Sequence, residues 1–419
     1  MKYNTATLNN GLRVVYVETP SPVAYLGIAV AAGTRHEQKG EEGLAHFAEH
    51  MAFKGTCRHT AAGCRRRTAV QMVNRIEGVG GELNAFTNKE DTVFYSAISC
   101  RHVRRAAEVL CDMVFYSSCP QAEVEKESLV VCDEIESYED SPAELICDEI
   151  ENILFEGHPL GHNILGQADH VRRFSSDDVL AFMHRHYRPA NSVFFLSGQT
   201  DFKALVRLLG KATPAAPPDG GGDPPALSPQ ATMPTALPAT LTVNRATHQA
   251  HVMLAARAFA ANDERRWPLF LLNNLLGGPG MNSRLNLSLR EKRALVYTVE
   301  SAVVCYGDTG QWSTYLGCDA EDVDKCVRLV KKELRRLADN PLSPRQLRAA
   351  KQQMAGQLAI ASDNREQQTL DMARSFLHYD VVRELDEVLK KLDAVTARQL
   401  QDTAGALFRD DRLSLLVYC

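Results

Sequence analysis

Alternation of hydrophobic and polar residues predicts paired strands near the start of each half of the chain. In the first half the candidates are LRVVYVE (12–18) and AYLGIAVAAG (24–33), and in the second half LTVNRA (241–246) and AHVMLAARAF (250–259). Successive side chains of a strand point to opposite faces of the sheet, so this alternation is typical of half-buried strands. We therefore expect each half to begin with a β-sheet.

Helical periodicity follows these strands in the same order in both halves. The first helix candidates are EEGLAHFAEHMAF (41–53) and DERRWPLFLLNNLLGG (263–278), and the strand candidates DTVFYSAISC (91–100) and QWSTYLGCD (311–319) come later. A long amphipathic helix, AEDVDKCVRLVKKELRRLAD (320–339), follows the last of them. The repeated order predicts an α+β fold with two homologous α/β-sandwich domains from a diverged duplication, each a mainly antiparallel sheet packed by helices.

One change in composition divides the chain. Residues 212–240, ATPAAPPDGGGDPPALSPQATMPTALPAT, replace the periodic apolar pattern with Pro, Gly, Ala and Ser, which is typical of a linker. We predict an N-terminal domain at 1–211 and a C-terminal domain at 241–419. A chain of 419 residues is long enough for two such domains.

Composition and charge exclude several classes of function. A net charge of −5 with no long run of like charges disfavours binding to nucleic acid. The sequence has no apolar stretch of about 18 residues, and the segment MKYNTATLNN lacks the apolar region of a signal peptide, so we expect no membrane span and a cytoplasmic protein. The eleven cysteines form no CxxC pair, which favours reduced, mostly buried thiols over metal binding through cysteine.

The candidate chemistry lies in the segment HFAEH. His46 and His50 are four residues apart and project from the same face of the predicted helix, where two imidazoles can bind one metal ion. Glu49 flanks that face and can reach a water molecule at the metal, and HxxEH is the inverzincin signature. The neighbouring residues are apolar or small, so the helix is expected to be buried, where unpaired charge would be costly.

A catalytic zinc site with two histidines needs a third protein ligand. The segment EVEKESLVVCDEIESYED (123–140) is predicted to be a helix, and it places Glu127 and Glu134 seven residues apart on one face. One of them can bind the metal while the other supports the site. Between Val252 and Leu377 there is no histidine, so a histidine site belongs to the first half.

A second pair of histidines has a different explanation. His158 and His162 in GHPLGH are also four residues apart, but the intervening Pro and Gly forbid a helix. We therefore interpret this pair as structural.

Six segments resemble the M16 family of zinc metallopeptidases, which includes pitrilysin and the mitochondrial processing peptidase. The resemblance covers nearly the whole chain and matches the short, two-domain members. The matching segments are GTRHE, HFAEHMAFKGT, VGGELNAFTNKEDTVFYSA, EKESLVVCDEIESYEDSP, HPLGHNILG and NSRLNLSLREKRALVYTV.

The resemblance implies one Zn²⁺ per chain, with His46 and His50 as ligands and Glu49 as the general base. The family spacing from the last histidine lands on Glu127 by counting alone. However, the segment CRHTAAGCRRRTA is longer than is usual in the family by about eight residues, which displaces the later positions along the chain. The family context then matches Glu134 to the third ligand and Glu127 to the supporting carboxylate.

Two further segments carry residues that the family uses for substrate. REKRALVY resembles the segment whose Arg and Tyr grip the peptide and stabilise the tetrahedral intermediate, which corresponds to Arg290 and Tyr297. Without the family, Arg290 would be interpreted as a surface charge and Tyr297 as a strand or core aromatic. ELNAFT resembles the edge strand on which M16 substrates lie, and its candidate contacts are Asn84, Ala85 and Phe86, although Phe86 is equally suited to the core.

These features imply a zinc-dependent endopeptidase acting on short or unfolded peptides. The resemblance also implies a homodimer in which Arg290 and Tyr297 of each chain complete the zinc site of the other. Two alternatives remain: a noncatalytic or partner-dependent subunit of the same fold, and a metal-dependent hydrolase of nonpeptide substrates. The insertion from Cys57 to Arg67 carries Arg65, Arg66 and Arg67, and we expect these arginines to belong to a solvated loop rather than to contact acidic substrate.

Overall fold

The computed structural model describes residues 3–60, 63–215 and 238–419. Most of the predicted linker lies outside the described residues. In the first half the elements are β1 (Tyr3–Thr7), β2 (Arg13–Glu18), β3 (Val23–Val30), α1 (Leu44–Ala52), β4 (Gly55–Thr60), β5 (Gly63–Thr68), α2 (Ala69–Glu77), β6 (Glu82–Thr87), β7 (Thr92–Ser99), α3 (Val103–Phe115), α4 (Gln121–Glu139), α5 (Pro142–Leu154), α6 (Ala168–Val171), α7 (Ser176–His186), β8 (Ser192–Gly198) and α8 (Phe202–Ala212).

In the second half the elements are β9 (Thr240–Val243), β10 (Ala250–Ala258), α9 (Arg266–Gly277), a π-helical segment (Asn286–Glu291), β11 (Val296–Cys305), β12 (Gly310–Cys318), α10 (Val323–Asp339), α11 (Pro344–Ala361), α12 (Arg365–Tyr379), α13 (Leu385–Asp393), α14 (Ala397–Leu407) and β13 (Ser414–Tyr418). The strands and helices predicted from the hydrophobic pattern are present at the expected places, and the α+β prediction is confirmed. Among the described residues, no helix has the length and apolarity needed to cross a membrane.

The contacts group into two compact units. Unit 1 contains the described residues of Met1–Glu136, His162–Ala231 and Ser362–Arg383, and unit 2 those of Ser137–Gly161, Thr232–Ala361 and Glu384–Cys419. This grouping does not follow the predicted division into 1–211, 212–240 and 241–419, because each unit includes a helix from the other half of the chain.

The sheets of the two units share one topology. The sheet of unit 1 has the order β1-β2-β8-β3-β7-β6, in which only β2 and β8 pair in parallel. The sheet of unit 2 has the order β9-β13-β10-β12-β11, in which only β9 and β13 pair in parallel. Apart from β1 the two orders correspond strand for strand, as expected of a duplicated unit.

The exchanged helices occupy equivalent places in the two units. In unit 1, α12 packs Leu370, Ala373 and Phe376 on the face of the sheet that carries Val15 and Phe195. The other face of this sheet carries a separate core that includes α1 and α3. The sheet of unit 1 is thus buried on both faces.

In unit 2, α5 packs Leu145, Ile146 and Ile150 on the face of the sheet that carries Met253 and Leu416. The strands beneath it, β10 and β13, correspond to β3 and β8 beneath α12 in unit 1. The two halves have therefore exchanged one helix in each direction. Amphipathic periodicity predicts these helices but does not predict which sheet each one covers.

The insertion predicted as a solvated loop is a hairpin of β4 and β5, so the loop prediction is wrong, although Arg65 and Arg66 are exposed as expected. Arg67 is buried and forms an ion pair with the buried carboxylate of Asp112. Cys57 and Cys64 form a disulfide in this hairpin, so the expectation of reduced thiols is wrong for these two, whereas the other nine cysteines form no disulfide.

Candidate metal site

The HFAEH helix begins at a position that only glycine accommodates well. Gly43 has a φ of 97°, and a Cβ atom there would lie 2.6 Å from the carbonyl oxygen of Leu165. The buried carboxylate of Glu37 accepts hydrogen bonds from the backbone N–H groups of Gly43 (3.1 Å) and Ala45 (2.7 Å). It therefore satisfies N–H groups at the start of α1 that have no partner within the helix.

His162 completes this arrangement, because its Nε2 atom lies 2.8 Å from Oε2 of Glu37. Burial raises the pKa of Glu37, while the hydrogen bonds from His162 and from the two amides oppose that rise. Residues 157–162 form turns and bends and no helix, and the absence of a helix here is as predicted. Nε2 of His158 lies 3.6 Å from Asp308 within unit 2. The second histidine pair is therefore divided between the two units.

α1 and α4 bring His46, His50 and Glu134 together. The imidazole centroids are 4.5 Å apart, and Nε2 of His46 and Nε2 of His50 lie 3.8 Å and 3.6 Å from the two carboxylate oxygens of Glu134. These distances are too long for hydrogen bonds. They are close to the separation of about 3.3 Å between ligand atoms of a tetrahedral zinc ion with bonds of about 2.0–2.1 Å.

The electrostatics of the two imidazoles also fit a cation. Burial lowers the pKa of His46 to about 3, and the neighbouring His50 contributes to this effect. The His46 imidazole is therefore neutral, as metal binding requires. Nδ1 of His46 is buried and has no hydrogen-bond partner among the described residues. Burial disfavours protonation of His50, but the hydrogen bond to Glu127 and the charges of Glu134 and Glu127 outweigh it and raise its pKa.

Glu127 and Glu134 of α4 lie on different sides of His50. Oε1 of Glu127 is 2.9 Å from Nδ1 of His50, and the other oxygen of Glu127 forms an ion pair with Lys54. Glu134 faces the Nε2 side of the same ring. Residues that share a helix face at this spacing therefore contact opposite nitrogens of one imidazole.

Glu49 is buried beside the histidines and is held by a threonine. Oγ1 of Thr87 donates a hydrogen bond of 2.6 Å to Oε2 of Glu49. Burial raises the pKa of Glu49, the Thr87 hydrogen bond and the charge of His50 lower it, and Glu134 raises it. A neighbouring hydroxyl, Thr92, lies 3.3 Å from Thr87 and donates to the carbonyl of Ala32.

The segment ELNAFT forms β6, the last strand of its sheet, as the edge-strand prediction requires. Asn84 is exposed, and Ala85 and Phe86 are half-buried. The Phe86 ring is 6.2 Å from that of Tyr95 and packs against the same apolar cluster as α12. Phe86 thus belongs partly to the core, while Thr87 at the end of the strand reaches Glu49.

Arg290 and Tyr297 lie in unit 2, in irregular segments of backbone. Arg290 is in the π-helical segment and lines a cavity of about 450 Å³ together with residues of the loop 277–281. Tyr297 is 72% exposed at a register shift between Val296 and Thr298, so it is a strand residue but not a core aromatic. π-helical turns and β-bulges are frequent at functional sites.

Known proteins resemble the chain along nearly its whole length. The family model "Insulinase (Peptidase family M16)" matches residues 13–168, and the model "Peptidase M16 inactive domain" matches residues 173–354. An uncharacterized zinc protease of Streptomyces coelicolor is 32% identical to this chain, and the match covers 96% of this chain and 86% of the length of that protease. The uncharacterized zinc protease YmxG of Bacillus subtilis is 29% identical over 98% of this chain and 97% of its own.

The two-unit fold and these matches define a class of protein, the M16 peptidases, and the chain belongs to this family. A solved M16 inactive domain from Pseudomonas fluorescens has a TM-score of 0.88 at 20% identity, covering 100% of this chain and 98% of its own. A chain of complex III from Candida albicans has a TM-score of 0.82 at 18% identity, and the match covers 99% of this chain and 95% of that chain. The family and the names of the relatives indicate a protease-like function and zinc.

Proposed function

We propose that the protein is a zinc-dependent endopeptidase that hydrolyses peptide bonds in short or unfolded peptides. The observation that carries the proposal is the convergence of His46 Nε2, His50 Nε2 and the Glu134 carboxylate, with Glu49 buried beside them. Two imidazoles and a carboxylate are a donor set that suits zinc and leaves a fourth position open. The proposed stoichiometry at this site is one Zn²⁺ per chain.

Bound there, zinc would acidify a water molecule and polarise the scissile carbonyl group. Glu49 would take the proton from the water and later pass it to the leaving amine. The hydroxyl of Thr87 occupies Oε2 of Glu49 and so leaves Oε1 for the proton. Glu127 would hold the His50 ring through Nδ1, so that Nε2 points towards the ion.

We assign the peptide to the edge of β6. An extended peptide can add to an edge strand through backbone hydrogen bonds, with little dependence on its sequence. Asn84, Ala85 and Phe86 would then contact the substrate next to Thr87 and Glu49. This mode favours peptides that are short or unfolded, because a folded protein does not present an extended segment.

Arg290 and Tyr297 would grip the peptide and stabilise negative charge on the carbonyl oxygen. We propose that they act across a homodimer, each chain completing the site of its partner. Their exposure on irregular backbone supports a role outside the core of unit 2.

A noncatalytic subunit is the second candidate, because the same fold occurs in a complex III chain and the second half matches a model named for an inactive domain. His46, Glu49, His50 and Glu134 are all present in this chain, which favours the peptidase.

The test is hydrolysis of a mixed library of unstructured peptides by the purified protein and by Glu49→Gln, with bound zinc measured in both. We expect the wild type to cleave, and the variant to retain zinc and lose activity. If both proteins hold zinc and neither cleaves, the subunit candidate replaces the peptidase.

Mixing two inactive variants tests the dimer. A heterodimer of Glu49→Gln with Tyr297→Phe has one intact site if Tyr297 acts in trans and none if it acts in cis. Since half of randomly mixed dimers are heterodimers, we expect about a quarter of wild-type activity to return. No recovery after subunit exchange would contradict the trans arrangement.

A further inference from the structure

A second group of metal-binding residue types lies on the β4–β5 hairpin. Cys57, His59 and Cys64 each offer one ligand atom, and the three atoms lie within 4.8 Å of one another. Sγ of Cys57 is 3.8 Å from Nε2 of His59. In this structure the two sulfur atoms form a disulfide.

The register of the hairpin places these three side chains on one face. Cys57 and His59 are two residues apart on β4, so their side chains point the same way. Cys64 of β5 is paired directly with His59, and Arg66 is paired directly with Cys57. Directly paired residues share a face, so two sulfurs and one imidazole lie together beside a guanidinium group.

The opposite face of the hairpin packs against the rest of unit 1. Arg67 and Arg58 form ion pairs with the buried Asp112, and the Arg58 guanidinium lies 5.0 Å from the centre of the Tyr116 ring. The backbone N–H of Cys57 donates a hydrogen bond of 2.9 Å to the carbonyl of Tyr116. The base of the hairpin is thus fixed, whereas His59 and Cys64 are exposed on the free face and Cys57 is half-buried.

We propose that the hairpin with reduced cysteines binds a second Zn²⁺ through Cys57 Sγ, Cys64 Sγ and His59 Nε2, with water as the fourth ligand, and that the disulfide is the metal-free form. Two thiolates and an imidazole are typical zinc ligands. The guanidinium group of Arg66, which is paired directly with Cys57, lies on the same face as the two cysteines. Two thiolates neutralise the charge of the ion, so Arg66 does not oppose the filled site.

The two forms interconvert by thiol–disulfide exchange with a small external disulfide. One cysteine thiolate attacks that disulfide and releases one external thiolate, and the other cysteine thiolate then displaces the second. The protein loses two electrons and gains one S–S bond, while the external disulfide gains two electrons and two protons and becomes two thiols. Zinc dissociates because both of its thiolate ligands have been consumed.

The hairpin site and the HFAEH site differ in their ligand types. Among the described residues, the other group of three potential ligands is His46, His50 and Glu134, which contains no cysteine. Extra zinc bound only when thiols are reduced should therefore depend on Cys57 and Cys64. This dependence separates the hairpin from the site in the proposed function.

The experiment compares the reduced wild type, the oxidised wild type and the reduced double variant Cys57→Ser/Cys64→Ser after loading with Zn²⁺ and removal of the excess. We expect the reduced wild type to hold one more zinc per chain than either of the others, and His59→Ala with both cysteines intact to bind that zinc at least about tenfold more weakly. Loading with Co²⁺ should give a thiolate-to-cobalt charge-transfer band that the double variant lacks.

Equal zinc content in the reduced wild type and the double variant would overturn the proposal, as would a cobalt–thiolate band that persists in the double variant. An unchanged affinity in His59→Ala would also overturn the three-residue site. Zinc at the HFAEH site is common to all samples and cancels in the comparison, so failure of the proposed function would not alter this result.

Discussion

Replacing Glu127 by glutamine tests whether Glu127 supports His50 while Glu134 binds the metal. Glu127 is 6% exposed and contacts Nδ1 of His50 and the ammonium group of Lys54. A glutamine amide at this position would keep the size of the side chain but remove the charge that orients the imidazole and pairs with Lys54. We expect zinc affinity to fall about 10- to 100-fold, or about 1.4–2.7 kcal/mol, as is usual when a hydrogen-bonded supporter of a metal ligand is lost.

The same change at Glu134 should cost more, because it removes one of three direct ligands. Glu125→Gln provides the matched control, since Glu125 is an exposed residue on the same helix. Zinc affinity is measured by competition with a chromophoric chelator at constant pH and ionic strength. The predicted order of loss is Glu134→Gln, then Glu127→Gln, then Glu125→Gln with no change.

A reversed order, with Glu127→Gln losing zinc and Glu134→Gln nearly unaffected, would refute this division. It would show that the carboxylate beside Nδ1 is the ligand and that the Nε2 side of His50 is not the metal side. Equal and small losses in both variants would refute the site itself.

Three further changes test the supporting residues. Thr87→Val removes the hydroxyl that binds Glu49 while keeping the shape of the side chain, and we expect kcat for peptide hydrolysis to fall at least about tenfold with unchanged zinc content, because the base is no longer oriented. Glu37→Gln removes the charge that holds the first N–H groups of α1, and we expect the free energy of unfolding in urea to fall by about 2 kcal/mol. Burial lowers the pKa of His186 to about 3, and nearby positive groups add to this effect. The unfolded chain therefore takes up this proton first, and the free energy of unfolding decreases as the pH falls below about 6.5 towards 3. We expect His186→Leu to reduce this decrease between about pH 7 and pH 5.5 by about 1 kcal/mol.

Each of these changes has an exposed counterpart of the same chemistry: Thr5→Val, Glu156→Gln and His248→Leu. A loss of zinc in Thr87→Val would place its effect on the metal and contradict a role through Glu49. An effect of Glu37→Gln no larger than that of Glu156→Gln would contradict the capping of α1. Parallel curves of stability against pH for the wild type and His186→Leu would show that His186 is not a source of acid sensitivity.

The sequence predicts the parts of the site that depend on spacing within one helix. His46, Glu49 and His50 share a face of α1, and the seven-residue spacing on α4 brings Glu127 and Glu134 to the same imidazole. These features are local, because helix and strand geometry fixes them once the elements form.

The remaining features depend on contacts between distant segments. Glu37 and Thr87 lie in segments that resemble the M16 family. However, the sequence spacing of neither residue indicates its partner on α1. The exchange of α5 and α12 depends on which sheet each helix covers, and an amphipathic pattern does not specify this. The hairpin at 55–68 lacks the alternation of apolar and polar residues that predicts a strand. Its buried face carries Arg67, whose charge is compensated by Asp112, in place of an apolar residue.

The most direct test of the central claim is anomalous diffraction at the zinc edge on crystals of the zinc-loaded wild-type protein. We predict a peak within about 2.0–2.2 Å of His46 Nε2, His50 Nε2 and a carboxylate oxygen of Glu134, with Glu49 adjacent but not bound to the ion. A fully loaded protein with no zinc between these three residues, or with the ion bound by Glu127 instead, would contradict it.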